Sequence, residues 1–287
     1  MNCDPELDSG SHMSKFRIKC TMTNFKINTK QPWPTKDAMK QIYEEHLWGG
    51  TAFDFYSGEG SHNPEIVTPY INAVSSFLNS HNSSLIVCDL GCGDFNIGKH
   101  LISYTKKYIA LDIVEALIQR NKLKFKAAHL EFQCLDIATD TLPGADCIIL
   151  RQVLQHLSNA EIQNIVKQLK LYKYLILTEH LPTGNFEANI DIISGQGIRL
   201  KHNSGVDLLE SPFHLKVQNQ TILNTVILDD KKGQIVTTLF TLQTSHQVRN
   251  NLLTNFNLLN WNPNIFFNIL KVLTISFVQN FKMCFLV

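Results

Sequence analysis

The chain is short of charge. Asp, Glu, Lys and Arg make up 18% of its 287 residues, against the roughly 25% usual for soluble domains. Its 26 basic and 25 acidic residues nearly cancel, leaving a net charge of +1. A balance so close to zero projects no global field to gather nucleic acid. Paired cysteines are lacking too. The seven cysteines are an odd number, scattered at 3, 20, 88, 92, 134, 147 and 284. Cys88 and Cys92 stand four apart, but no second Cys or His pair has matching spacing, so no metal site is expected. Several of these thiols fall inside apolar strand patterns, as reduced buried thiols do, which points to a cytoplasmic protein. A long uninterrupted apolar run is absent as well. The Asn-rich apolar stretch Asn262–Val287 is broken by Asn268, Lys271, Gln279, Asn280 and Lys282. A membrane span needs about 20 mostly apolar residues, so a packed helix is expected there rather than an anchor. The opening Met1–Asp8 is acidic and polar, and no secretory leader is expected.

What is present starts at Leu85-Ile86-Val87-Cys88-Asp89-Leu90-Gly91-Cys92-Gly93-Asp94. It reads as a buried strand, an acid and a glycine turn, followed at nucleotide-binding distance by the strand end Ala110-Leu111-Asp112. Glycines let backbone approach a ligand closely, and an acid about 20 positions on can accept from ribose hydroxyls. The third glycine of a dinucleotide loop is missing: Asn96 stands there and Gly98 comes two residues late. A pyrophosphate is held by bare amides at a helix N-terminus. Asp89 and Asp94 bracketing the turn would repel it. They favour a cationic ligand, and S-adenosylmethionine (SAM) has sulfonium and ammonium charges and no phosphate.

Along the chain, residues 1–32 are polar and aperiodic and read as a disordered or tag-like arm; Gly10-Ser11-His12-Met13 has the form of a cloning remnant or arises by chance. From Met13 to Lys40 seven basic residues face one acid, Asp37, which reads as a solvated arm, its alternative being an anion-binding flap over an acidic substrate. Thr35–Leu47 has helical periodicity. The loop Tyr56–His62 comes next, and Thr68-Pro69 suggests a cap and first helical position. Strands are expected at 85–90, 108–112, 130–135, 146–150 and 172–178, with helices at 97–105, 114–126 and 159–170 between them. Near-continuous apolar strands alternating with helices imply a parallel sheet covered on both faces. Thr221–Leu228 and Ile235–Leu242 then suggest an antiparallel hairpin. The division is therefore an arm (1–32), a domain (33–245) with a helical lid (33–80), and an apolar tail (246–287).

Trp48-Gly49-Gly50, Ser57-Gly58-Glu59-Gly60-Ser61, Asp89–Asn96 and Arg151-Gln152-Val153-Leu154-Gln155-His156-Leu157 together resemble a family of bacterial-type class I SAM-dependent methyltransferases with mostly unassigned substrates. The resemblance spans about Trp33 to Leu242. It implies an α/β Rossmann-like fold: a seven-stranded, mostly parallel sheet ending in an antiparallel hairpin, with helices on both faces. The chain departs from the pattern at Ile97, where an aromatic residue is expected.

In a doubly wound sheet the ligand lies where strand order reverses. That places Asp89, Gly91, Cys92, Gly93 and Asp94 by the methionine half, and Asp112 with Ile113 by the ribose. Asp136 and Ile137 fall by the adenine. Arg151 is a candidate for the methionine carboxylate, its alternative being a salt bridge on the sheet rim. Asp136 reads equally as a turn cap. His156, His180 and Glu179 are candidate general bases, and Pro212-Phe213 is either an acceptor wall or sheet packing. The expected partner is a small-molecule, sugar or peptide acceptor. No Asn/Asp-Pro-Pro-Tyr/Phe tetrapeptide, which grips a flipped base, comes after the fourth strand. Neither nucleic acid nor a membrane is an expected partner, and oligomeric state is left open. The alternatives are an NAD-dependent oxidoreductase and a non-catalytic SAM-binding module.

Overall fold

The computed structural model describes residues 32–51, 53–229 and 233–243. The arm through residue 31 and the tail from 244 lie outside the described residues, and with them the expectations for the basic run Lys15–Lys30 and the apolar stretch 262–287. From Trp33 onward the described chain is one unit.

Five parallel strands form its centre: β1 (Ile86–Leu90), β2 (Lys107–Asp112), β3 (Leu130–Cys134), β4 (Cys147–Arg151) and β5 (Tyr174–Leu181). A two-residue parallel pair, β6 (Glu187–Ala188) and β7 (Ser204–Gly205), lies off the main sheet, and β8 (Val217–Ile227) and β9 (Gln234–Leu242) close it. The order is β3-β2-β1-β4-β5-β9-β8. β9 is antiparallel to both β5 and β8. It alone in the main sheet runs against the rest. The order reverses between β1 and β4, where a crevice opens beyond the strand C-termini.

Side chains alternate across the sheet. Cys88 and Leu90 of β1 join one apolar layer with α1 (Thr35–Glu44) and α4 (Asn159–Leu169); Val87 joins the other, with α2 (Pro64–Asn79). The α4 stripe Ile162, Ile165, Val166 and Leu169 is buried at helical spacing. Its start is a capping box, in which Ser158 and Glu161 satisfy each other's orphan amides. α3 (Glu115–Lys124) comes after β2.

Three expectations need correction. α2 starts at Pro64, not at Pro69, because Asn63 supplies the cap by accepting from the Glu65 amide at 2.9 Å; Pro69 lies inside the helix. The expected helix at 97–105 is two short 3-10 turns, Gly98–His100 and Ile102–Tyr104. The chain there wraps around Phe95, which is fully buried among the rings of Tyr108, Phe125 and Phe132 and fills the space where a Cβ on Gly98 would sit. α1 ends at Glu44, three residues before the expected Leu47. Phe213 is a core residue, which resolves Pro212-Phe213 as sheet packing. No helix among the described residues is long and apolar enough to cross a membrane.

Candidate cofactor and acceptor site

A cavity of about 550 Å³ opens at the strand C-termini. Gly91, Cys92 and Gly93 line it after β1, Asp112 and Ile113 after β2, and Asp136 and Ile137 after β3. Arg151, His156 and His180 line it after β4 and β5. Three expected site residues, Asp89, Asp94 and Glu179, are not in its wall.

The glycine turn is built by close approach. Gly91 has φ of +79°, and a Cβ there would lie 2.5 Å from Val153 Cγ2. Gly93 has φ of +56°, and Ser57 Oγ occupies the place its Cβ would need. Only glycine meets both demands without strain. The amides of this turn are already engaged. Gly91 and Cys92 donate to the Leu111 carbonyl at 2.9 and 2.8 Å. Gly93 donates to Asp112 Oδ2 at 3.0 Å and Asp94 to Ser57 Oγ at 2.8 Å. The buried Asn121 amide group holds the Gly93 carbonyl at 2.8 Å. The chain leaves the turn through a 3-10 segment rather than an α-helix, so no helix N-terminus points at the ligand space.

Asp112 accepts from Gly93 and, through Oδ1, from the Val114 amide at 3.0 Å. Burial pushes its carboxyl up to about 6, against the pull of the Val114, Gly93 and Ile113 amides. Asp136 also accepts from the Ala138 amide at 2.9 Å, so it caps its turn while lining the cavity. Arg151 is buried on the α2 side, its guanidinium 4.8 Å from the Tyr70 ring centroid. It donates to the Gly60 carbonyl at 2.5 Å and to Ser61 Oγ at 3.2 Å. Its Nε has no hydrogen-bond partner among the described residues. Among the described residues it makes no salt bridge, so the rim ion-pair alternative is not what the fold uses.

Asp89 points to the α2 side by strand alternation. Tyr108 donates its hydroxyl to it at 2.8 Å, and burial pushes its carboxyl up to about 7. It lies behind the cavity wall. Asp94 instead fastens the lid: it accepts from the Ser57 amide at 2.9 Å and from the Asn96 amide at 3.0 Å, and pairs with His62 at 2.6 Å. The expected acidic bracket around the ligand is therefore corrected. Both acids face protein, and each amide of residues 91–94 is already bonded within the protein.

The candidate bases separate as well. His156 Nδ1 faces the Gly195 carbonyl at 3.1 Å, which fixes the proton on that nitrogen and leaves Nε2 accepting from the Gln155 amide group at 3.1 Å. Burial lowers its pKa to about 4, so it is neutral near pH 7 with its lone pair engaged. With the Trp48 ring 5.0 Å away, it is wall rather than base. Glu179 is 2% exposed, and its carboxylate oxygens make no well-formed hydrogen bond to a described residue, though the Leu154 and Gln155 amides face it. Burial pushes it up to about 8, against the pull of Arg199 and of the Leu154 and Gln155 amides. His180 stays in the wall.

Several residues of the site carried no local signal. Tyr43 of α1 lines the cavity and meets Ser57 Oγ at 3.1 Å. Arg120 grips Asp54 of the lid through Nε at 2.7 Å and reaches the Asp94 carbonyl at 2.7 Å. Lys201, far along the chain, returns to the cavity wall.

Residues 88–174 match the model of a family described as a methyltransferase domain. A curated relative, the carboxy-S-adenosyl-L-methionine synthase of Shewanella sediminis (strain HAW-EB3), is 28% identical over 130 residues, covering 41% of this chain and 52% of the relative. The chain thus spans about half the length of that relative. Among solved structures, the N-methyltransferase NodS from Bradyrhizobium japonicum WM9, in complex with S-adenosyl-L-homocysteine, matches with a TM-score of 0.52 and 12% identity. That match covers 72% of this chain and 99% of NodS, and it speaks for the fold.

Proposed function

We propose that this chain, which carries a class I SAM-dependent methyltransferase domain, transfers a methyl group from SAM to a small-molecule acceptor. The observation that carries the reading is the engagement of every amide of residues 91–94: each N–H is bonded within the protein. A pyrophosphate needs such donors free, which argues against an NAD-dependent oxidoreductase. Asp112 keeps acceptor capacity beyond its two amide partners and suits the ribose hydroxyls. Asp136 and Ile137 suit the adenine edge and face. Arg151, with an unpaired Nε, suits the methionine carboxylate, and it ties that end to the lid through Gly60 and Ser61.

When bound, SAM supplies an electrophilic methyl group on a sulfonium whose departure leaves a neutral thioether. The protein's part is alignment, which is worth on the order of 7–11 kcal/mol when two reactants are held in attack geometry. Tyr43, Trp48 and the 57–61 loop line the cavity opposite the strand ends. Where the acceptor carries a proton, His180 is the base, a role worth about 10²–10⁴-fold. Four free thiols among the described residues, with Cys88 and Cys147 buried, support a reducing, cytoplasmic setting.

Calorimetry tests this. SAM and its demethylated product should bind with micromolar affinity, and NAD should not bind. Competitive NAD binding would overturn the reading. Tight SAM binding without transfer to any member of a broad acceptor panel would favour a non-catalytic module.

A further inference from the structure

The carboxylates and cations of the cavity are segregated. Asp112 and Asp136 stand at the β2–β3 end, where the cofactor is assigned. Arg151, after β4, is assigned to the methionine carboxylate; beyond it the β5–β9 end is lined by His180, Lys201, Ile198, Leu228 and Ile235. Two further acids reach the wall, and both are engaged. Glu161 accepts from Thr35, Ser158 and Ser194 hydroxyls, and Glu59 accepts from the Tyr56 hydroxyl at 2.6 Å. Lys201 has no side-chain hydrogen bond or ion pair to any described residue.

The segment that carries Lys201 is fixed with unusual care. Arg199, two residues before it, is 1% exposed. Its guanidinium donates to the Ile190 and Leu154 carbonyls at 3.0 Å each, and to the Leu157 carbonyl and Asn159 Oδ1 at 2.7 Å each. These bonds bind the Arg199–His202 turn to the segment after β4. Leu200 Cδ1 lies 3.1 Å from the space beside Gly233 at the mouth of β9. A planar fork with four acceptors is far stiffer than a lysine contact. The result is an ammonium with no partner among the described residues, held at the rim of a compartment lined by His180 and the apolar Ile198, Leu228 and Ile235, on a turn anchored by Arg199. Such placement is what a recognition group requires.

We propose that the methyl acceptor is a small organic acid, its carboxylate bound by Lys201 and its apolar body lodged against Ile198, Leu228 and Ile235. The proposal rests on the methyltransferase reading above. It leaves the methylated atom to the acceptor's own chemistry. An amine of the same shape would set its charge against Lys201, and an amide would forgo the ion pair.

The test uses the full chain saturated with S-adenosylhomocysteine, titrated calorimetrically with hexanoate, phenylacetate and 3-phenylpropionate, each against its primary amide. At least one acid should bind ten-fold or more tightly than its amide. Lys201→Met should bring acid and amide level, Lys201→Arg should keep most of the preference, and both variants should bind S-adenosylhomocysteine as the wild type does. Amides binding as well as acids, no acid binding, or an unchanged preference in Lys201→Met would overturn the proposal while the methyltransferase reading stands. Failure of S-adenosylhomocysteine itself to bind would overturn that reading and, with it, this proposal.

Discussion

Asp112 carries the heaviest load of any one residue. It holds the glycine turn and caps the start of α3, and it presents the same carboxylate to the cavity. Asp112→Ala should weaken SAM binding by about 1–3 kcal/mol, the cost of removing a charged acceptor from buried donors; calorimetry reads this directly. Its carboxyl is pushed up to about 6, so it is ionised above that pH and protonated below it. SAM affinity should fall as pH drops through about 6, and the Ala variant should lose that dependence. Glu179 gives the opposite signature, in stability rather than binding. Its usual value of 4.5 rises to about 8 in the fold. Between those values the unfolded chain releases a proton that the native state keeps, so native stability drains as pH rises and levels off above 8. Glu179→Gln has no such titration. Its Tm relative to wild type should therefore climb from pH 5 to pH 8 and then stay flat. A constant gap would show that the carboxyl ionises normally.

At the level of elements, the lid is an assembly of short pieces held at separate points. The Ser57 amide and His62 bind Asp94, Asp54 binds Arg120, and Gln196 donates to the Leu47 carbonyl at 3.0 Å. None of these pieces has enough helix or strand to hold itself. Asp94→Ala removes three acceptor contacts at once and should raise amide exchange across residues 55–62 while leaving β1 and β4 protected. Uniform loosening of the whole chain would mean that Asp94 supports the core instead. The elements also show what pattern-reading captures. The α4 cap, at Ser158 with Glu161, is legible as spacing, and so are the five parallel strands, because burial on both faces writes an apolar run. The 97–105 stretch was not legible as 3-10 turns. Its fate depends on Phe95 being enclosed by rings from Tyr108, Phe125 and Phe132, partners up to 37 positions away.

For the whole molecule, the site is the meeting of a sheet edge with a roof. The C-termini of β1 to β5 and the start of β9 supply the floor, and α1 with residues 48–51 and 53–62 supplies the cover. A ligand seated between them ties the two together. SAM at 100 times its Kd should stabilise the native state by about 2.7 kcal/mol, or roughly 5–10 °C in Tm for a domain of this size. Thermal unfolding with and without SAM measures this, and no shift at saturation would argue against a cofactor bound between floor and roof.

The sequence by itself determined the cofactor turn, the acid one strand later and the alternation that makes a parallel sheet, because each is written in neighbouring residues whose local physics needs no partner. Tertiary structure alone decided which acids line the cavity. Asp89 and Asp94 look equivalent to Asp112 in the sequence. Tyr108, 19 positions on, claims the first, and Ser57, 37 positions back, claims the second. It also decided that His156 is neutral wall, since Gly195 and Gln155 engage both its nitrogens, and that Lys201 reaches the cavity wall at all. Electrostatic roles are set by what surrounds a group in space, and that surrounding is assembled only when distant segments pack.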